Sequence, residues 1–276
     1  MKEYKLSEIY IYPVKSLAGI SLNSAFVEME GLRFDRRWMV VDKNNIFLTQ
    51  RTNPQMVLIN TEIKKDRLEL SHKTKKMPKL FIPFAMHSQE TATVKIFNDE
   101  VQASFVSDET DQWLSSTIGT KCRLVVLSDN NKRYVNKKYA HNNETVSFAD
   151  GFPFLIMGQS SLDLLNSKLE EKLPTNRFRP NFVFTGGHAH DEDNWKIIKI
   201  GKTIFDVVKP CARCVITTVD QNCGVKHKEP LLTLSKYRKQ GNKILFGQNL
   251  IARSLGFVNL EDEIEILEYK RDQDSF

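Results

Sequence analysis

The residues of this chain best suited to chemistry stand in one tetrapeptide, Cys211-Ala212-Arg213-Cys214. Three of the four cysteines fall between positions 211 and 223. Thiolates are the soft ligands that hold zinc, copper, iron–sulfur clusters or molybdenum. Arg213 and Lys209 put positive charge beside these sulfurs, which favours the thiolate that binds metals and attacks electrophiles. Phe-Asp-Val-Val-Lys-Pro (205–210) precedes the tetrapeptide and Val-Ile-Thr-Thr-Val (215–219) follows it, so a tight turn between two extended runs is predicted.

Three other readings stand beside a metal thiolate. Cys211, Cys214 and Cys223 with His227 would make a zinc site, but structural zinc sites commonly pair two Cys-x-x-Cys knuckles and this chain has one. A thioredoxin-like redox pair would open a βαβ unit, which the flanking sequence lacks. The third reading makes Cys211 a small buried hydrophobe.

Cations set inside structured motifs form a second group. Lys15 ends Tyr12-Pro13-Val14-Lys15-Ser16; Arg36 and Arg37 lie in Gly31-Leu32-Arg33-Phe34-Asp35-Arg36-Arg37-Trp38. Arg51 follows Thr49-Gln50, and Arg177 and Arg179 lie in Thr175-Asn176-Arg177-Phe178-Arg179-Pro180-Asn181. Taken singly, each reads as a surface or salt-bridged residue. Together with the cysteines they suit a large polyanionic cofactor, because the guanidinium fork matches phosphate geometry. His188-Ala-His190-Asp191-Glu192-Asp193 has the composition of a metal cluster, but Gly186-Gly187 and the dense charge predict an exposed loop. Asp220, ahead of Gln221-Asn222, reads as a turn-forming residue rather than a proton relay.

The elements that must position these groups are mostly strands. Leu6–Val14, Phe26–Met29, Trp38–Val41, Val57–Ile63, Arg67–Leu70, Thr93–Phe97 and Glu263–Leu267 read as strands, with a hairpin through Asp42-Lys43-Asn44-Asn45 to Ile46-Phe47-Leu48. Short, regularly spaced strands predict a barrel or sandwich over the first hundred residues. One helix is expected from Asp108, capped by Ser107 or Asp108, with Trp113, Leu114 and Ile118 as its apolar stripe. A second is expected from Ser160 with Leu162, Leu165 and Leu169 facing in, and a third from Pro230 with Leu231 and Leu234 facing in. The chain divides near residue 120, into 1–120 and 121–276.

Composition bounds the rest. The chain has 276 residues, 41% hydrophobic and 27% charged, as an ordinary globular protein does. No apolar run approaches the roughly 20 residues that span a bilayer. Met1-Lys2-Glu3-Tyr4-Lys5-Leu6 leads straight into an alternating stretch, so no targeting segment is expected and the cytoplasm is the expected compartment. Four cysteines at these spacings make no disulfide framework, in keeping with a reducing compartment. The net charge of +6 is a modest excess, much of it in short runs such as Lys64-Lys65, Lys132-Arg133 and Lys137-Lys138 that read as solvated loops. A nucleic-acid-binding barrel would need aromatics interleaved with Lys and Arg on one strand face, and Trp38 beside Met39-Val40-Val41 reads as core instead.

Six motifs occur in order: Tyr-Pro-Val-Lys-Ser (12–16), Gly-Leu-Arg-Phe-Asp-Arg-Arg-Trp (31–38), Asp-Gly-Phe-Pro-Phe-Leu (150–155), Asn-Arg-Phe-Arg-Pro-Asn (176–181), Pro-Cys-Ala-Arg-Cys-Val-Ile-Thr-Thr-Val-Asp (210–220) and Phe-Gly-Gln-Asn (246–249). In these the chain resembles the molybdenum-cofactor sulfurase C-terminal (MOSC) domain proteins that also carry an N-terminal β-barrel domain. The resemblance runs from about Leu6 to Leu267. It extends to the mitochondrial amidoxime reducing component and its bacterial counterparts, which reduce N-hydroxylated compounds. It implies a mostly β (α+β) fold of two barrel domains with a few helices, and a pyranopterin molybdenum cofactor. It implies Cys214 as the one protein ligand of the metal and the catalytic residue. Lys15, Ser16 and Arg36 match positions near the cofactor's phosphate and pterin, and Arg179, with Arg177 and Asn176, matches the pterin-contacting segment. Gly151, Phe152, Ala212 and Arg213 match segments lining the site. Ala212 departs from relatives with serine there, which leaves the neighbouring backbone to make that contact. The four cysteines lack the spacing of a [2Fe–2S] domain, so electrons are expected from a separate ferredoxin-, flavin- or haem-type donor. The alternative from another class is a non-catalytic carrier of the cofactor or of sulfur.

Overall fold

The computed structural model describes residues 3–85, 87–127, 131–140 and 142–271. It is mostly β, as the alternating patterns predict. Its largest sheet runs, in spatial order, Ile264–Tyr269, Trp195–Ile200, Thr203–Ala212, Lys243–Ala252, Phe154–Gly158, Phe182–Thr185, Lys5–Ile11 and Ile20–Leu22. Only Phe154–Gly158 and Phe182–Thr185 pair in parallel within it. The strand Lys5–Ile11, from the start of the chain, therefore sits between its sequence neighbour Ile20–Leu22 and the distant Phe182–Thr185.

A four-stranded sheet orders Trp38–Asp42, Cys122–Leu127, Asp99–Phe105 and Thr91–Ile96. Two three-stranded sheets complete the fold: Gly256–Asn259 with Ser24–Glu28 and Gly31–Leu32, and Ile59–Ile63 with Arg67–His72 and Leu80–Pro83. Alternation sets which face each strand buries. Leu6, Ile9 and Ile11 enter one core with Phe154, Phe182, Phe205 and Trp195, while Trp38, Val40, Leu68, Leu70 and Leu124 enter a second. Trp38 is core, as its neighbours indicated.

Helix α1 (Asp108–Ile118) forms where expected, with Ser107 Oγ accepting from the Thr110 amide and Gly119 ending it in the left-handed region. Helix α2 (Gln159–Asn166) begins one residue early and stops before Leu169. Helix α3 (Leu231–Ser235) has Pro230 as its cap rather than its first residue. Val57 and Leu58 belong to a 3-10 turn, Pro54–Leu58, that Pro54 opens, and the strand starts only at Ile59. The expected hairpin forms: the Asp42 amide donates to the Ile46 carbonyl and the Leu48 amide to the Val40 carbonyl.

Two expectations about loops are corrected. Arg133 is 5% exposed, not solvated, and donates to the Ser147, Ala149 and Asp150 carbonyls. The segment 188–193 is not uniformly exposed either, because Glu192 is fully buried. Its carboxylate accepts from the Gly158 amide at 3.2 Å and Ser161 Oγ at 2.9 Å, at the N-terminus of α2, where no side chain of the helix caps it. A helix N-terminus favours a carboxylate, and here that attraction pulls one acid of the loop inside. Burial still raises the Glu192 pKa to about 7.

Candidate functional site

The cysteines stand where the strand Thr203–Ala212 ends. The second extended run predicted after them is instead a 3-10 turn, Val215–Thr218, with Cys214 as its N-cap. The hydroxyls of Thr217 and Thr218 cause this: they donate back to the Cys214 and Val215 carbonyls at 3.0 and 2.8 Å. Such local bonds compete with a strand ladder. Arg177, 2% exposed, fixes the turn from behind, donating to the Thr217 and Thr218 carbonyls at 2.9 and 3.0 Å.

Cys211 and Cys214 are half-buried and line a cleft of about 750 Å³, mouth included. Around them the cleft collects Lys15, Ser16, Arg36, Asp150, Gly151, Phe152, Arg179, Asn181, Ala212, Arg213 and Asn249. Nine of the residues picked out by motif thus meet in one place: Lys15, Ser16, Arg36, Gly151, Phe152, Arg179, Ala212, Arg213 and Cys214. Asn176 and Arg177 do not join them. Asn176 is exposed, and the Arg177 guanidinium is spent on the turn and on Asp220 at 3.2 Å. Asp220 is a turn residue, accepting from the Asn222 and Cys223 amides, and lies outside the cleft.

The backbone is bent to build this cleft. Ser16, Arg36 and Arg179 hold φ of 68°, 50° and 53°, in the left-handed region that non-glycine residues avoid. Each such residue costs about 1–3 kcal/mol unless its surroundings hold it, and such strain clusters at functional sites. Here Asp35 holds it. Its buried carboxylate accepts from the Tyr12 amide at 2.7 Å, Arg36 Nη1 at 2.5 Å and Asn181 Nδ2 at 3.1 Å. Arg36 Nη2 then reaches the Arg179 carbonyl at 3.2 Å. The Tyr12 ring lies against both guanidinium groups, 4.3 Å from Arg36 and 4.1 Å from Arg179. Gly247 (φ 76°) lets the strand bearing Asn249 approach: a Cβ there would stand 2.7 Å from the Ile156 carbonyl oxygen.

The charge in the cleft is positive and under-compensated. Lys15, Arg36, Arg179 and Arg213 face one lining carboxylate, Asp150. Lys15 Nζ spends itself on Asp150 at 2.5 Å and the Phe148 carbonyl at 2.8 Å. Burial lowers its pKa to about 8, with Asp150 opposing the shift. Burial likewise lowers Arg179 to about 10 and raises Tyr12 to about 12. Arg179 Nη2 and Arg213 Nε are buried without a hydrogen-bond partner. Arg213 Nη1 donates to Cys211 Sγ at 3.0 Å and Nη2 to the Phe178 carbonyl at 2.5 Å. Buried charged donors left unpaired are costly in a finished protein, and an anion in the cleft would satisfy them. Among the described residues no group of three or more His, Cys, Asp or Glu is placed to hold a metal ion. Cys223 and His227 lie outside the cleft, so the zinc arrangement does not assemble. Asp35, Asn181, Tyr12, Asn249 and Arg133 were not singled out from sequence, though the first four lie inside the ordered motifs.

Fold and cleft define a class: a β protein whose two halves jointly build a cationic pocket around a cysteine. Residues 3–121 match the MOSC N-terminal beta barrel domain and residues 143–265 the MOSC domain. The chain belongs to the MOSC family, in the group that carries both domains. Mitochondrial amidoxime reducing component 2 of Bos taurus is 35% identical over 243 residues, covering 84% of this chain and 72% of that protein. Mitochondrial amidoxime-reducing component 1 of Homo sapiens is 31% identical over 280 residues, covering 95% and 82%. Molybdenum cofactor sulfurase of Oryza sativa subsp. japonica is 33% identical over 277 residues, covering 90% of this chain but 32% of that protein. No described helix is long and apolar enough to cross a membrane.

Proposed function

We propose that this protein is a molybdenum-cofactor-dependent oxidoreductase that reduces N-hydroxylated compounds with electrons from a separate protein. The observation that carries the reading is the cleft itself. Two protein thiols, Cys211 and Cys214, stand among four cations, two of which keep a buried donor unpartnered. No protein cage is present among the described residues, so a metal here needs ligands that arrive with it. A pyranopterin brings both the sulfur ligands and the anionic phosphate that this donor set fits.

In this reading Cys214 holds the metal. Lys15, Ser16, Arg36 and Arg179 hold the phosphate and pterin, and Arg213 spreads charge beside the thiols. Gly151, Phe152 and Ala212 shape the wall, with the Ala212 backbone in place of a side-chain hydroxyl. Tyr12, Asp35 and Asn181 keep the guanidinium groups aimed. The cofactor supplies a centre that takes up and gives out electrons in pairs. The balance is two electrons and two protons in, the N–O bond broken, an N–H formed and water released. With the division near residue 120, the first half contributes Lys15, Ser16 and Arg36 and the second the rest.

The test is metal and pterin analysis of protein made in a cofactor-competent host, wild type against Cys214→Ser. Molybdenum and pterin in the wild type, and loss of molybdenum in the variant, are expected. Zinc in its place, or equal molybdenum in both, refutes the reading. Loss in Cys211→Ser but not Cys214→Ser reverses the ligand assignment. The match to a molybdenum cofactor sulfurase keeps a carrier in view: it would bind molybdenum and fail to turn over an amidoxime with any reductant.

A further inference from the structure

A second cavity, of about 1280 Å³, mouth included, lies behind the turn that follows Cys214. Arg177 lines it, and the Thr217 whose carbonyl Arg177 holds lines the Cys214 cleft. One buried guanidinium and one 3-10 turn therefore stand between the two cavities.

The second cavity is open and basic. Lys168, Lys172, Lys228 and Lys236 line it, are exposed, and make no ion pair with any described carboxylate. Lys168 lies over the Tyr237 ring at 5.5 Å. Of the acids in the lining, Asp220 is tied to Arg177, and Glu229 accepts from Thr233 Oγ1 and its amide at 3.0 Å each. Glu229 keeps its charge in those bonds, so Glu170, Glu171 and Glu229 oppose four lysines and leave an excess of one positive charge. Leu232 is 49% exposed in the same lining. Free lysines around an exposed leucine suit the acidic face of a protein better than a small anion, which has no use for the apolar surface.

We propose that this groove docks an acidic electron-donor protein. The proposal rests on the reductase reading above and names where its electrons enter. A docked one-electron carrier is oxidised twice per turnover. The two electrons, with two protons from water, convert N–OH to N–H and water. The groove and the Cys214 cleft are linked through Arg177, which lines the groove and donates to the Thr217 carbonyl of the turn that begins at Cys214.

Turnover of benzamidoxime by the loaded enzyme is measured with a reduced, acidic plant-type [2Fe–2S] ferredoxin, with a reduced flavodoxin and with reduced methyl viologen. Lys168→Glu/Lys228→Glu/Lys236→Glu should lower kcat/KM for the better protein donor about tenfold or more at low salt, because rim charges act mainly on association. The gap should narrow as salt screens the charges. The methyl viologen rate should stay within about twofold of wild type, since none of the three lysines lines the Cys214 cleft. Lys5→Glu/Lys202→Glu, exposed and in the lining of neither cavity, should leave both rates unchanged. Equal ferredoxin and flavodoxin rates in wild type and triple variant overturn the docking site. So does an equal loss in the Lys5/Lys202 control, or a wild type that turns over with methyl viologen and with neither protein. A wild type inactive even with methyl viologen refutes the reductase reading and the docking site with it.

Discussion

Asp35 is the residue on which the geometry of the cleft depends most directly. It accepts three hydrogen bonds and is 1% exposed. In Asp35→Ala the Arg36 guanidinium, whose side chain is only 13% exposed, loses its carboxylate. Removing one partner of a buried pair costs about 3–5 kcal/mol. The Tyr12 amide and the Asn181 amide group lose their acceptor too, at about 1 kcal/mol each. Asn181 Oδ1, 3.4 Å from Arg36 Nη1, can take up part of the loss. A net cost of roughly 4–5 kcal/mol results, a large share of the 5–15 kcal/mol by which domains are stable. Asp35→Asn keeps the shape and one oxygen for the Tyr12 amide, so it should cost about half as much. Urea unfolding followed by tryptophan fluorescence measures both, and the alanine variant should also melt on the order of 10 °C lower. A loss below about 1 kcal/mol in Asp35→Ala would show that Arg36, Asn181 and Tyr12 are held by something else.

Lys15 gives a pH dependence of definite sign. Burial lowers its pKa from 10.5 to about 8, so between those values the unfolded chain binds more protons and stability rises with pH. Wild type should gain up to about 3 kcal/mol on Lys15→Met across that window, and a flat difference in urea titrations would contradict it. Glu192 runs the other way: burial raises its pKa from 4.5 to about 7, so its contribution is present at acid pH and is lost as pH rises through 7. Stability relative to Glu192→Gln should fall by up to about 3 kcal/mol between those values, and a rise instead would disprove the burial argument. Arg177→Ala should cost roughly 3 kcal/mol by freeing two carbonyls and Asp220, with Arg177→Lys recovering less than half because a lysine cannot fork; full rescue by lysine in chemical denaturation would refute the bracing role.

The strands were legible because their side chains alternate, and α1 because Ser107 or Asp108 can cap it and Trp113, Leu114 and Ile118 recur at helical spacing. What failed to read correctly shares one cause. Val215–Thr218 has a strand's composition, but hydroxyls bonding back to carbonyls and Arg177 from a distant segment make it a turn. Arg133 and Glu192 sit in charged runs that look solvated, yet each meets partners, the carbonyls of 147–150 and the N-terminus of α2, that local sequence does not reveal. Arg177 and Arg179 are two residues apart and indistinguishable by type, but one faces the turn and the other the cleft.

The amino-acid sequence by itself determined the β-rich character, the family through six ordered motifs, and the thiol-and-cation chemistry of the site. Those depend on residue type and local order. The tertiary structure decided which cations converge on Cys214, which brace the turn behind it, and that Asp35 aims two of the site's groups. Those depend on contacts between residues far apart in the chain, such as the pairing of Lys5–Ile11 with Phe182–Thr185 and the bond from Arg177 to Thr217. Local pattern carries no record of such a contact, because the energy that selects it comes from burial in the assembled core.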